Sequence, residues 1–308
     1  MERIIIDTDP GQDDAIAVIL ATTLEKIDVA GVTTVAGNTS LKNATRNALG
    51  LLELIGRRDV PVAEGASGPL VGTQVHAEHV HGANGMGGAI LPEPMTKVDK
   101  RRAAVFISEM AAECPGEISV VAIGPMTNIA LAIKLDPRLV QNLKRLVFMG
   151  GGSGAGNVTP SAEFNIYADP EAARIVFDAA SRGLVTTMVA LDLTRQVLFT
   201  DETLARIREI RNPVADFTAD IMEHHMANNT DKFGLGGYPL HDPCAVAYVA
   251  MPELFVGTPA HVDVELSGEL TRGRTVCDFH GSDPNVTFLT QAMSRELLEL
   301  VIELVSRY

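Results

Sequence analysis

Short runs of β-branched and other apolar residues alternate along most of the chain with segments whose apolar residues recur every three or four positions. This alternation leaves few ways to fold. Residues 3–8, 29–35, 60–63, 118–123, 146–149 and 185–191 have strand character. Residues 41–55, 102–113, 128–134 and 170–180 carry the helical spacing. The pattern predicts an α/β fold, a mostly parallel open sheet flanked by helices. Several strands are almost continuously apolar, as strands covered on both faces must be. The last third changes character. Helices are expected at 203–210 and 213–228, small additional strands at 261–266 and 274–279, and a final helix from about Leu289. No internal repeat and no Pro-, Gly- or Ser-rich linker divides the chain, so residues 1–308 are expected to form a single domain.

Composition narrows the partners. A formal net charge of −14 repels polyanions, which excludes general binding to nucleic-acid phosphates or anionic lipid and favours a small neutral or cationic ligand. No apolar run approaches membrane-spanning length, and the N-terminus runs from Met1 into Ile4-Ile5-Ile6 without an export leader. Cys114, Cys244 and Cys277 are odd in number and widely spaced, which fits neither a disulfide framework nor a zinc ribbon. A cytoplasmic location is expected.

In parallel sheets ligands bind beyond the carboxyl ends of the strands, and there the sequence is unusual. Asp7, Asp9, Asp13 and Asp14 fall within eight residues, between the first strand and a helical pattern at 15–21. Helix capping explains one or two of them. It does not explain Asp7 and Asp9, which strand spacing places on one face, while Pro10 and Gly11 impose a turn. Such crowding points to a metal or substrate site. All-oxygen ligands suit calcium or magnesium, whereas zinc would recruit cysteine or histidine. An EF-hand is excluded, because Gly11 and Val18 stand where oxygen ligands belong. Asp13 and Asp14 diverge on a helix and are expected to do different work.

Further along, Asp242 precedes Pro243 at the start of a helical run over 244–249. It can cap that helix and also ligate a cation, with His241 available as a general acid near neutral pH. Asn157, Glu163, Asn165 and Asp169 cluster before a helix start, where they would suit a ligand rich in hydroxyls, although turn and capping roles are the plainer reading. The glycine-rich stretch 150–156 lacks the lysine of a P-loop and the spacing of a dinucleotide fingerprint. His76, His79 and His81 lie in a Gly-rich segment that reads as a mobile loop able to close over a ligand rather than as a transition-metal site. His224 and His225 are expected at the solvent or the edge of the core.

Taken together, these residues resemble a known family. Asp7-Thr-Asp9-Pro-Gly-Gln-Asp13-Asp14-Ala is similar to the N-terminal signature of the inosine/uridine-preferring nucleoside hydrolases. Val35-Ala-Gly-Asn38, His81-Gly, Gly124-Pro-Met-Thr-Asn-Ile-Ala130, Met149-Gly-Gly-Gly, Ala162-Glu-Phe-Asn165 and Leu240-His-Asp-Pro-Cys-Ala245 resemble its later blocks in order. The resemblance implies calcium-dependent hydrolysis of the N-glycosidic bond of a ribonucleoside. It implies calcium ligands Asp9, Asp14, Asp242 and the Ile123 carbonyl, with Asp13 on a ribose hydroxyl. Asp9 would also take a proton from water placed by Asn38, and His241 would assist the leaving base. Met149, Asn157, Glu163 and Asn165 would grip the ribose, with His81, Asn229 and Phe233 near the base. A homo-oligomer, tetramer or dimer, is implied as well. After His81-Gly the chain reads Ala-Asn-Gly-Met-Gly-Gly, where many members place an acidic residue. Phe233 can stack but has no proton to donate, and the preferred base stays open between pyrimidine, purine and both. Two rivals are a metal-dependent phosphohydrolase with an aspartyl nucleophile and a non-catalytic calcium-dependent nucleoside binder.

Overall fold

The structure, a computed structural model, describes residues 1–228 and 234–308. Eleven strands are present among them, in chain order β1 Glu2–Thr8, β2 Ile27–Thr34, β3 Val62–Glu64, β4 Ile118–Ala122, β5 Arg145–Met149, β6 Thr186–Val189, β7 Leu198–Phe199, β8 Tyr238–Pro239, β9 Phe255–Val264, β10 Thr275–Asp278 and β11 Val286–Ala292. Nine form one sheet in the order β10-β9-β11-β6-β5-β4-β1-β2-β3, and β7 pairs with β8 alone. From β3 across to β11 every pairing is parallel. β9 and β10 complete the sheet antiparallel at the far edge. The expected α/β architecture with additional strands in the C-terminal third is therefore observed.

Strand β1 shows why the sheet must be covered twice. Ile4, Ile5 and Ile6 are all fully buried, yet Ile4 and Ile6 join one apolar cluster and Ile5 the other, as alternation along a strand requires. Each such side chain contributes roughly 1.5–3 kcal/mol when removed from water. Helices Gln12–Thr23, Leu41–Leu54, Asp242–Ala250 and Ser294–Val305 feed the first cluster. Helices Ala103–Glu113, Thr127–Leu135 and Pro170–Ala180 feed the second, where Phe148 and Phe177 meet edge-on at 5.8 Å. Among the described residues no helix is long and apolar enough to cross a membrane.

Two expectations fail. Residues 286–292 are a strand, and the last helix begins at Ser294 rather than near Leu289. The apolar spacing of that helix extends backwards past its start, but Val286, Thr287 and Thr290 are β-branched, and β6 and β9 receive this segment on both edges. Likewise the strand expected over 185–191 stops at Val189, and Leu191–Thr194 forms one helical turn. In that turn Leu191 N–H bonds the Gly151 carbonyl instead of continuing the ladder.

Strand order reverses between β1 and β4: β2 and β3 extend one way from β1, and β4, β5 and β6 the other. The carboxyl ends of β1 and β4 thus flank the crevice where ligands bind in sheets of this kind.

Candidate active site

At that crevice the chain leaves β1 through Asp9, turns at Pro10-Gly11 and enters helix Gln12–Thr23 with Asp13 and Asp14 in its first turn. Asp14 is the best supported of the acids. It accepts from Thr8 Oγ1 (2.6 Å), from the Gly11 backbone N–H (2.9 Å) and from Asn38 Nδ2 (3.0 Å). Asp242 arrives from the other end of the sequence as the first residue of helix Asp242–Ala250, which packs against helix Gln12–Thr23. Oxygens of Asp13, Asp14 and Asp242 all lie within 4.8 Å of one another. The first turns of two helices, with their partial positive charge, therefore converge on one acidic cluster.

Asp9 stands beside this group. Its Oδ2 accepts the Asn38 N–H at 2.6 Å, while its Oδ1 is buried without a hydrogen-bond partner. The backbone is moulded closely around it. A Cβ on Gly37 would lie 2.0 Å from Asp9 Oδ2, and one on Gly124 would lie 2.6 Å from Oδ1. Burial, and then the charge of Asp14, hold Asp9 well above the usual carboxylate range. The same two causes push Asp13 up to about 7. Asp242 is raised by burial and by Asp13 and Asp14, and Asp14 by burial against the donors that it accepts from. Four buried carboxylates raised together, one with an orphaned oxygen, suit a hard divalent cation.

Asp7, expected to share this face, serves the scaffold. It accepts from Thr33 Oγ1 (2.6 Å) and Asn128 Nδ2 (2.7 Å). Asn128 also donates to the Thr34 carbonyl and accepts the Ala66 N–H, tying β1, β2 and the loop after β3 together under the site.

Above the acids is a cavity of about 190 Å³, the scale of a small molecule. Asp13, Asn38, Ile123 and Asp242 line its acidic end, and Met149, Asn157, Glu163 and Asn165 one wall. His79, His81, Arg195, Tyr238 and His241 lie around the remainder, and no lysine lines it among the described residues. Asn229 and Phe233 lie outside the described residues. Glu163 caps helix Phe164–Ala168, its two oxygens accepting from Asn165, Gly151 and Ile166 N–H groups. Asn165 Nδ2 donates to the carbonyls of Ile123 (2.9 Å) and Met149 (3.1 Å). Asn157 Oδ1 accepts the Phe164 N–H. Capping and site-lining roles thus coincide in this wall.

Most N–H groups of the glycine-rich loop are already engaged, with Gly151 on Glu163, Gly152 on Thr275 and Ser153 on Asp192, which leaves little of it as a phosphate cradle. Arg195 grips the Ala155 and Gly156 carbonyls at 3.0 and 2.9 Å. That leaves the loop a fixed wall leading into Asn157.

Three imidazoles crowd the other side. Burial and Arg195 push His241 down to about 4, so it is a neutral ring at pH 7 rather than the imidazolium that a general acid near neutrality would need. Its Nδ1 lies 2.8 Å from Thr194 Oγ1. His81, in the short helix Glu78–His81, is buried and pushed down to about 3, mainly by desolvation. His225, expected at the edge, is instead fully buried, edge-on to Tyr238 at 3.7 Å and bonded to Gln12 Oε1. Gln12 also reaches the Ile221 carbonyl at 3.1 Å. Among the described residues no trio of histidines forms a metal site. The sequence reading missed Gln12, Thr194, Arg195 and Tyr238. The signal for the last three was their place, just past the end of β6 or three residues before His241.

Comparison with known proteins shows the family and the fold. The family model for inosine-uridine preferring nucleoside hydrolase matches residues 4–299. Pyrimidine-specific ribonucleoside hydrolase RihA of Shewanella woodyi is 41% identical over 99% of this chain and 98% of its own length. An uncharacterized protein of Schizosaccharomyces pombe is 43% identical over 99% of both. Among solved structures, the plant nucleoside hydrolase PpNRh1 superposes with a TM-score of 0.93 at 31% identity, covering 100% of this chain and 99% of the other. The purine-preferring ribonucleoside hydrolase from Gardnerella vaginalis gives 0.93 at 30% identity, with 99% and 98% covered.

Proposed function

The chain belongs to the inosine-uridine preferring nucleoside hydrolase family and is an N-glycosyl hydrolase acting on ribonucleosides; from that premise we propose that it is calcium-dependent, prefers pyrimidine ribonucleosides, and works through the residues described above. The observation that carries the metal reading is the buried cluster of Asp13, Asp14 and Asp242 beside the unpartnered oxygen of Asp9. The base preference rests on kinship: a relative named pyrimidine-specific is 41% identical, whereas the purine-preferring structure is 30% identical.

In this reading Asp9, Asp14, Asp242 and the Ile123 carbonyl hold calcium, which when bound offsets the carboxylate charge, lowers the pKa of water and fixes vicinal hydroxyls. Asp13 accepts a ribose hydroxyl. Asn38, already on Asp9 and Asp14, orients the attacking water, and Asp9 takes its proton. The water oxygen bonds to the anomeric carbon as the bond to the base nitrogen breaks, the electron pair of that bond leaves with the base, and the base takes a proton from solvent, to which Asp9 later returns the one it accepted, so that one water is consumed overall. Between those events the sugar is oxocarbenium-like, and the carboxylates around it stabilise that charge. Met149, Asn157, Glu163 and Asn165 position the ribose. His241 hydrogen-bonds the departing base, with His81 beside it.

The test is ribose release from uridine, cytidine, inosine and adenosine without phosphate, for the native protein and Asp9→Ala, with calcium or with chelator. We expect release from uridine and cytidine first, and its loss on chelation or in the variant. Faster release from inosine would overturn the base preference. Undiminished release in chelator would overturn the metal reading.

A further inference from the structure

We propose that Thr194 is a positioning residue that holds His241 in the tautomer protonated at Nε2, so that the ring turns a hydrogen-bond donor toward the base leaving across the cavity. The inference rests on the reading of His241 as the residue that assists the base. It starts from the hydroxyl, not the histidine. Thr194 is fully buried at the end of the turn Leu191–Thr194. Its backbone is locked there, the N–H on the Ala190 carbonyl and its own carbonyl on the Val197 N–H.

Among the described residues the only hydrogen-bond partner of Thr194 Oγ1 is His241 Nδ1, at 2.8 Å. A buried hydroxyl proton needs an acceptor, and leaving it without one costs the full desolvation of the group. Nδ1 is the acceptor in reach, so the hydroxyl donates and Nδ1 carries no proton. The neutral ring then has its proton on Nε2. The opposite arrangement, with Nδ1–H donating to Oγ1, leaves the hydroxyl proton without an acceptor among the described residues. His241 lines the cavity, and its Nε2 is not among the buried unpartnered atoms, so that edge of the ring opens to the ligand space. Tyr238, edge-on to His241 at 6.1 Å, closes off one further direction of movement. A ring held the other way round would present an unprotonated nitrogen to a base that is gaining negative charge.

The experiment uses the full-length calcium-loaded protein and the variants Thr194→Val, which keeps the shape and loses the hydroxyl, and Thr194→Ser, which keeps the hydroxyl. Two substrates are compared: uridine, whose leaving base needs a donor, and 4-nitrophenyl β-D-ribofuranoside, whose phenolate leaves without one. Ring nitrogen shifts of His241 from ¹⁵N NMR report the tautomer directly. We expect native protein and Thr194→Ser to show protonated Nε2, and Thr194→Val to show a mixture or the Nδ1–H form. In Thr194→Val, kcat for uridine falls roughly 10- to 100-fold with KM little changed, the aryl riboside is turned over at near the native rate, and Thr194→Ser recovers most of the loss. Equal losses on both substrates would mean that the threonine only supports the fold. An unchanged tautomer in Thr194→Val would overturn the proposal outright. Native protein that cleaves the aryl riboside but no nucleoside would overturn the substrate reading instead, while the nitrogen shifts still decide the tautomer.

Discussion

Replacing Asp242 with asparagine is expected to stabilise the cation-free protein and to destabilise it relative to the native one once calcium is present. The reasoning is electrostatic. Asp242 lies within 4.8 Å of both Asp13 and Asp14, and two unit charges at that distance repel by about 3.5 kcal/mol at an effective dielectric of about 20. Two such pairs would sum to about 7 kcal/mol, but the carboxyls take up protons before that cost is reached. Asp242, itself raised by burial and then by Asp13 and Asp14, shares that burden through proton uptake by the cluster, which leaves about one such pair, or about 3.5 kcal/mol, as the relief near neutrality. Losing a negative charge from the first turn of helix Asp242–Ala250 opposes the gain by roughly 0.3–1 kcal/mol. The net expectation is a stabilisation of about 2–3 kcal/mol in chelator at pH 7.5, a rise in Tm of about 5 °C. Raising a carboxyl's folded pKa means that the native state binds more protons between about pH 4 and 7, so native stability is greatest at the acid end and declines as pH rises. The gap between variant and native protein should therefore close toward pH 4. With calcium at a thousand times its Kd the native protein gains about 4 kcal/mol, the variant gains little, and the order of the two Tm values reverses. Thermal melts in chelator and in calcium, from pH 4.5 to 8, decide it. A variant that melts below the native protein in chelator at pH 7.5 would refute the charge argument. An equal calcium shift in both would remove Asp242 from the ligand set.

Gly37→Ala, whose Cβ would meet Asp9 Oδ2 at 2.0 Å while Gly124 blocks retreat on the other side, should leave a folded protein whose calcium affinity, by titration calorimetry, drops at least tenfold. His81, buried and pushed down to about 3, stays neutral when folded but charges when unfolded below about pH 6.5. The unfolded state then binds more protons, so stability falls as pH drops through that window, by up to about 1.4 kcal/mol per pH unit. In calcium-loaded protein, His81→Asn should flatten the fall measured by denaturant titration. Asn128→Ala should cost roughly 2–4 kcal/mol in a urea melt, because Asp7, the Thr34 carbonyl and the Ala66 N–H each lose a buried partner, and added calcium should not restore it.

Much of this site could be read from the chain because its parts are local. An apolar run followed by Asp9, Pro10, Gly11, Asp13 and Asp14 encodes strand, turn and helix start in consecutive residues, and the structure places them so. The helix Pro170–Ala180 announces itself through Asp169 and Pro170 in the same way. What failed depended on distant neighbours. Asp7 has the same residue type and spacing as its companions, but Asn128, far along the chain, turns it into a scaffold group. His225 is interior because Gln12 and Tyr238 meet it there, and nothing in the sequence around it says so. Val286–Ala292 became a strand because β6 and β9 supply both edges. Thr194 carries no motif, and its interest comes from one contact made across the fold.

The register of the central strand sets an order of events. β1 is zipped to β2, which follows within the next few dozen residues, and to β4, where Arg3 faces Ile118. The acidic cluster spans a longer interval still, since Asp14 and Asp242 are 228 positions apart. A sheet whose middle depends on such long loop closures folds slowly. During synthesis at about 10 residues per second, the first carboxylates emerge roughly 20 s before the last. Until helix Asp242–Ala250 docks on helix Gln12–Thr23 the cluster lacks Asp242, so tight cation uptake would time-stamp the closing step of folding, and a refolding chain should acquire it in its slowest phase.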